Sequence, residues 1–421
     1  MLLQRAKTLT ASVCLAMTAL TMAGSASAAN LEVTHWWTSG GEAAAVKVLA
    51  EKFDALGGDK WVDGAIAGSG STARPIIISR ILGGNPMGGA TQLNHGRQAE
   101  ELVQGGLMMD LTELAEKEGW ADFIRPKSLL ESCTFEGRLY CVPLNIHSWE
   151  WMWVNPQAFR DAGTEPPKNW NDLVAAAPKL KEKNIVPLAT GDGWQVNGIL
   201  TVLTTAIGGK DLYLKVNKDK DADAARGGPE MKKVFEALAQ ARELADKGYV
   251  GRSWNEATNM VLTGRAGTQI MGGDWAQGEF GTAGKVAGKD YDCLPGLGVH
   301  PYLDTGGDAI YFPKNKDPEV TKAQLKLASM LVSKDTQVAF NLAKGSLPIR
   351  GDVDLEAAST CMRAGIEILK NPDNIVPSVE QLRAPDTQGQ IESLAAEFFS
   401  NPDMTVDDIQ ERFAEIIEQA Q

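Results

Sequence analysis

The chain has 421 residues, of which 43 % are hydrophobic and 23 % charged, with a formal net charge of −13. That acidity disfavours nucleic acid and anionic membrane surfaces as partners. Beyond the first 30 residues, no stretch approaches the roughly 20 uninterrupted apolar residues that a transmembrane helix requires.

In chain order, Arg5 and Lys7 precede an apolar run at 11–22 that ends in Ala26-Ser27-Ala28-Ala29. This is the pattern of a cleavable secretory signal over residues 1–29, and it predicts an exported, periplasmic chain. Cys14 lies inside the apolar run rather than at the cleavage point, which argues against a lipid anchor. Removing the signal takes away two basic residues and moves the net charge to −15. The 392 residues left suit two domains, each able to bury its own core.

Residues 31–34 alternate apolar and polar side chains and predict a strand. Trp36-Trp37-Thr38-Ser39-Gly40-Gly41-Glu42 then forms a turn into a helix whose inner face is Val46, Leu49, Ala50 and Phe53, closed by Gly57-Gly58. Helical spacing recurs at 99–107, 111–118, 170–183 and 231–247, with short β-rich segments at 139–144, 149–154, 266–271 and 309–312. Alternating strands and helices predict α/β lobes with mainly parallel sheets. Gly68-Ser69-Gly70-Ser71-Thr72 is expected as a flexible turn, and the polar segment 217–228 as a surface loop. At 405–421, Val406, Ile409, Phe413, Ile416 and Ile417 share one side, which suits a terminal helix docked on a lobe.

Four cysteines follow the signal: Cys133, Cys141, Cys293 and Cys361. In an oxidising compartment they predict two disulfides. Glu136-Gly137 marks a hairpin tip between the first two, which favours Cys133 with Cys141 and Cys293 with Cys361, although three pairings are formally open. The four histidines are scattered and no close Cys-x-x-Cys pair exists, so neither a metal nor another cofactor is expected.

The turn at 34–42 carries the most chemistry. Paired indoles beside glycines and a carboxylate cost stability unless something uses them, and ligands gather at strand ends of this kind. A sugar ring needs flat aromatic surface for its C–H face and carboxylates or amides for its hydroxyl rim. Trp36 and Trp37 supply the first and Glu42 the second. Of the other tryptophans, Trp149, Trp151 and Trp153 alternate along one strand and point to a single face as core packing. Trp120 and Trp170 are expected to pack helices. Enzyme signatures are lacking: there is no Gly-x-Ser-x-Gly elbow, no His-Glu-x-x-His, and no lysine in the 68–72 glycine loop. The enzymatic alternative is a secreted glycoside hydrolase or lyase built on two opposed carboxylates.

Several segments together resemble the extracellular solute-binding proteins of carbohydrate ABC transporters, the broad maltose-binding-like family. They are Gly105-Gly106-Leu107-Met108-Met109-Asp110-Leu111-Thr112, Phe135-Glu136-Gly137-Arg138-Leu139-Tyr140-Cys141-Val142-Pro143, Trp151-Met152-Trp153-Val154-Asn155, Asn169-Trp170-Asn171-Asp172-Leu173, Met271-Gly272-Gly273-Asp274-Trp275 and Lys344-Gly345-Ser346-Leu347-Pro348-Ile349-Arg350. The first turn is most similar to that of the glucose and mannose receptors. The resemblance implies two α/β lobes joined by a hinge of crossing segments, residues 30–142 with 300–348 in one and 143–299 with 349–421 in the other. It further implies a monosaccharide held in the cleft, no catalysis, and a membrane permease as partner, with the receptor acting as a monomer. It assigns sugar contacts to Trp36, Trp37 and Glu42, stacking to Trp254 and Trp275, an acidic acceptor to Asp308 and a basic donor to Lys344. Gln92, Asn94 and His95 are further candidates. Where the glucose receptors carry a histidine after Val-Pro-Ser, Val376-Pro377-Ser378 is followed here by Val379-Glu380-Gln381, so Glu380 or Gln381 stands in its place.

Overall fold

The computed structural model describes residues 28–191 and 193–420. The expected signal and Cys14 fall, but for Ala28 and Ala29, on residues 1–27 and lie outside the described residues.

Two sheets organise the chain. The first begins with β1 (Asn30–His35), β2 (Lys60–Ala65), β3 (Ala90–Asn94) and β4 (Cys141–Pro143). The second holds β5 (Trp151–Val154), β6 (Val186–Ala189), β7 (Ala266–Ile270) and β8 (Asp292–Pro295). The chain then returns to the first sheet as β9 (Asp308–Tyr311). The spatial orders are β2-β1-β3-β9-β4 and β8-β5-β7-β6. β1 runs parallel to β2 and β3, and β6 parallel to β7. β9 is antiparallel to β3 and β4, and β5 is antiparallel to β7 and β8. The sheets are therefore mixed rather than mainly parallel. Strands linked by a helical crossover within one sheet run parallel. β9, like β5, enters from the other sheet and starts at the opposite end.

Seven helices matter for the site, α1 (Gly40–Ala55), α2 (Ser69–Leu82), α3 (Trp194–Ala206), α4 (Trp254–Leu262), α5 (Gly273–Thr282), α6 (Lys334–Lys344) and α7 (Pro385–Ser400), and α8 (Val406–Glu418) ends the chain's helices. α1 starts at a capping box in which Ser39 Oγ accepts from the Glu42 amide and Glu42 Oε2 accepts from the Ser39 amide. Such a cap is worth about 1 kcal/mol. Leu49 and Phe53 seat its inner face in the core, as their spacing predicts. α8 buries Ile409, Phe413 and Ile417, as expected for a docked terminal helix.

Three passages connect the sheets: 144–150, 296–307, and the segment from 345 onward that leads to the helix Thr360–Leu369 beside β8. Short ladders brace them, Leu303–Asp304 with Ile375–Val376 and Leu347–Pro348 with Asn145–Ile146. Around these passages α1 meets α5 so closely that a Cβ on Gly41 would lie 2.5 Å from the Gly278 carbonyl carbon. The expected disulfides are both present, Cys133–Cys141 with Cα atoms 5.1 Å apart and Cys293–Cys361 with 6.0 Å. The first spans the hairpin Thr134–Phe135/Arg138–Leu139, with Glu136 and Gly137 in left-handed conformation at its tip.

Three local expectations are corrected. Gly68 to Thr72 do not form a free turn: Ser69 opens α2 and the glycines bring the backbone to the interlobe cavity. The 217–228 segment is largely helical, because Asp221 caps Ala222–Gly227 and Ala225 packs under α8. There Arg226 bonds Glu411 at 2.9 Å and Glu418 at 2.8 Å. Trp149 leaves the face it was expected to share with Trp151 and Trp153. The strand begins only at Trp151, after Ser148 takes a left-handed conformation (φ 53°). Trp151 and Trp153 stack in the core with centroids 5.7 Å apart. Trp120 and Trp170 are buried helix-packing residues, as expected.

Candidate functional site

Between the sheets lies a cavity of about 440 Å³. Its first wall is the carboxyl edge of the first sheet. The turn after β1 contributes Trp36, Ser39 and Glu42, β3 ends in Asn94, and β9 opens with Asp308. The opposite wall is indole: Trp149 from the crossing segment, Trp194 at the start of α3, Trp254 at the start of α4, and Trp275 in α5. Trp149 and Trp194 meet the Trp275 ring edge to face, at centroid distances of 5.1 and 5.5 Å, and Trp254 lies 6.4 Å from it. Such contacts fix the rings and leave apolar surface lining the cavity.

The two indoles of the first turn separate. Trp36 is partly exposed and faces the cavity, with the Arg74 guanidinium 5.6 Å from its ring centre. Trp37 is 2 % exposed and packs on Phe340 and His35. Adjacent residues leaving a strand point to opposite sides, so only one of the pair can reach a ligand.

Behind the wall lies a buried polar network. The Trp36 amide donates to Gln92 Oε1, and Gln92 Nε2 donates to Asp308 Oδ1 at 2.7 Å. Asn145 Nδ2 donates to both Asp308 and Asp274 at 3.1 Å. Lys344 Nζ lies 2.8 Å from Asp274 Oδ2. Gln92 and Lys344 thus hold the acidic groups and do not line the cavity themselves. Burial works against the Lys344 charge, but Asp274, Asp308 and Glu42 outweigh it and hold the ammonium above its ordinary range. Burial pushes Glu42 up to about 7, opposed by Lys344.

Among the described residues, His147, Asp274 and Asp308 form a cluster whose ligating atoms lie within 4.8 Å of one another. Lys344 already supplies positive charge there, and amide donors from Asn145 and Gln92 occupy the carboxylates.

In the late loop the structure separates the two candidates. Glu380 lines the cavity, whereas Gln381 Nε2 turns to His95 Nδ1 at 3.1 Å and its Oε1 accepts from Thr305. His95 is sealed from solvent, and burial lowers it to about 4.

Of the twelve sequence candidates, Trp36, Glu42, Asn94, Trp254, Trp275, Asp308 and Glu380 meet on the cavity. Trp37, Gln92, His95, Lys344 and Gln381 sit behind it. Arg74, Trp149, Trp194, Asn197, Gln388 and Glu392, none of them among those candidates, also line it. Gly193-Trp194 at a helix start repeats the glycine-indole pattern of the first turn and was the available signal. Arg252, a further lining residue, is neutralised by Asp246 at 2.6 Å. Glu42, Asp308, Glu380 and Glu392 therefore outnumber the remaining cation, Arg74. The surface offers many acceptors, several indoles and a negative field.

A family model described as bacterial extracellular solute-binding protein matches residues 37–338, more than half of the chain. Over 358 residues the chain is 37 % identical to a probable sugar-binding periplasmic protein of Rhizobium meliloti (strain 1021), covering 84 % of each. A protein of the same description from Brucella melitensis biotype 1 is also 37 % identical, covering 82 % of this chain and 80 % of that one. Among solved structures, a bacterial solute receptor with an exclusive preference for β-D-galactopyranose superposes with a TM-score of 0.77 at 19 % identity, covering 93 % of this chain and 99 % of that one. Maltose-bound MalE3 of T. maritima gives 0.73 at 18 % identity, covering 93 % and 100 %. At those identities the structural likeness speaks for the two-lobed α/β fold.

Proposed function

Because the chain belongs to the family of bacterial extracellular solute-binding proteins, we propose that it is the periplasmic receptor of an ATP-driven sugar importer. In this reading it holds a neutral, glucose-like ring between its lobes and presents it, as a monomer, to a membrane permease. The observation that carries the reading is the meeting of Trp36, Glu42 and Asp308 with Trp275 across one cavity. Indole faces suit the C–H face of a sugar. Buried carboxylates accept from hydroxyls at roughly 1.5 to 3 kcal/mol each.

The surplus of carboxylates argues for a neutral ring over a phosphorylated or acidic one. Relatives described as sugar-binding support the solute class. Their family is one of binding proteins, and with it stands the expectation of a chain that catalyses nothing. Glu380 at the cavity, where the glucose receptors place a histidine, supports a hydroxyl pattern richer in donors toward that side.

The lobes divide as residues 30–142 with 300–348 and 143–299 with 349–421, a partition supported by which strands share a sheet. The three connecting passages are then the hinge. Closure is a population shift, so sugar must gain contacts with both walls in the closed form. Calorimetry with hexoses, pentoses and disaccharides tests the proposal. Binding without turnover is expected, and failure of every sugar to bind at millimolar concentration overturns it.

A further inference from the structure

The groups that recognise a first ring occupy only part of the cavity. Its 440 Å³ lies in the range of about 300 to 1,000 Å³ that encloses drug-sized ligands, whereas a hexose has about a dozen non-hydrogen atoms. The remaining surface comes from elements that contribute nothing to the first-turn site. On α3, Trp194, Asn197 and Thr201 fall on one face at helical spacing, and on α7 so do Gln388 and Glu392. The two helices pack against each other, so these faces are fixed in relation to one another.

Asn197 is 5 % exposed, and its Oδ1 has no hydrogen-bond partner although it lines the cavity. A buried carbonyl oxygen left unpaired costs about 1 to 3 kcal/mol, so a ligand donor aimed at Asn197 Oδ1 is favoured there. Glu380 Oε2 is likewise unpartnered. Trp194 is partly exposed, held at right angles to Trp275. Arg74 reaches the same region and interacts with the charges of Glu380 and Glu392, which leaves no net cation for an acidic sugar.

We infer that Trp194, Asn197, Gln388 and Glu392 form a second subsite, so that the ligand is a neutral disaccharide or larger glycoside rather than a lone hexose. The inference rests on the sugar-receptor reading and adds the size of the ligand to it. Trp194 supplies the surface for the second ring, Asn197 Oδ1 accepts one of its hydroxyls, and Gln388 and Glu392 take its rim.

The experiment is calorimetry on the wild-type protein, Trp194→Ala and Asn197→Ala. The probes are glucose, galactose, mannose and xylose, set against maltose, cellobiose, lactose, trehalose and sucrose. At least one disaccharide is expected to bind tenfold or more tightly than its own component sugars. Both variants should lose that gain, and monosaccharide affinity should stay within threefold in Asn197→Ala, which also shows that this variant folds. Monosaccharide binding with no disaccharide bound more tightly overturns the second subsite and leaves the receptor reading intact. Equal weakening of mono- and disaccharide by the Asn197→Ala change overturns it as well. If no sugar of either size binds the wild type, the receptor reading itself falls.

Discussion

Lys344 Nζ lies 2.8 Å from Asp274 Oδ2, with the lysine side chain 1 % and the aspartate side chain 0 % exposed. Taking either charge out of water is costly, and the pair persists because each compensates the other and Asn145 adds a hydrogen bond. Lys344→Met is expected to leave Asp274 as an uncompensated buried charge and to lose about 3 to 5 kcal/mol of stability in urea unfolding. Adding Asp274→Asn should recover more than half of that loss. A single variant within 1 kcal/mol of wild type would show that the ammonium is not what holds this wall together.

The adjacent indoles of the first turn should part company under mutation. Trp37 is core, so Trp37→Ala should cost about 3 to 5 kcal/mol in thermal or chemical unfolding. Trp36→Ala should change stability little and weaken sugar binding at least tenfold, which is about 1.4 kcal/mol. Circular dichroism melts paired with calorimetry separate the two. The reverse pattern would exchange their roles.

Glu42 gives the site a pH dependence. Burial raises its carboxyl to about 7, so it is protonated at pH 6 and ionised at pH 8, where it accepts hydroxyls best. Sugar affinity should therefore rise across that interval by up to roughly tenfold. His95, lowered to about 4, stays neutral throughout. In Glu42→Gln the profile should be flat. An unchanged slope in that variant would assign the titration to another group.

Beneath Trp149, two acids are buried side by side. Asp304 accepts from the Trp149 amide at 2.7 Å, while Glu150 accepts from Ser148 Oγ at 2.9 Å and the Asp304 amide at 3.0 Å. Burial, and then the charge of Glu150, holds the Asp304 carboxyl well above its ordinary 3.8. The folded state thus keeps a proton that the unfolded chain releases. Stability from this group is complete below pH 4 and is lost as pH rises, by at most about 1.4 kcal/mol per unit. Glu150→Gln removes the neighbouring charge, so its stability relative to wild type should improve as pH rises above 4. A difference that stays constant with pH would refute the part of the Glu150 charge in raising Asp304.

The sequence spoke clearly where periodicity or a short motif determines structure. The 31–34 strand, the helix with Val46, Leu49 and Phe53, the Glu136-Gly137 hairpin and both disulfides all appear where expected. Its silence was about direction. Trp36 and Trp37 look alike in a string, yet one residue of pleat turns Trp37 onto Phe340. Trp149 looked like the first member of an alternating strand until the left-handed Ser148 turned it away. The α3 and α7 faces stayed hidden because Trp194, Asn197, Gln388 and Glu392 are far apart in sequence and converge only through helix packing. Mixed sheets followed from a chain that crosses between lobes three times, a fact of topology that no local window contains.

The indole wall has a photophysical consequence. Trp149, Trp194, Trp254 and Trp275 all border the cavity, each with its centroid within 6.4 Å of that of a neighbour. At such spacing excitation absorbed by one ring passes readily to the next, so whichever indole emits samples the solvent filling the cavity. Trp37, Trp120, Trp151, Trp153 and Trp170 are buried elsewhere and contribute an unchanging background. Replacing cavity water with a solute moves the emission of this group and of Trp36 across from it, and the protein's own fluorescence becomes an occupancy gauge that needs no label.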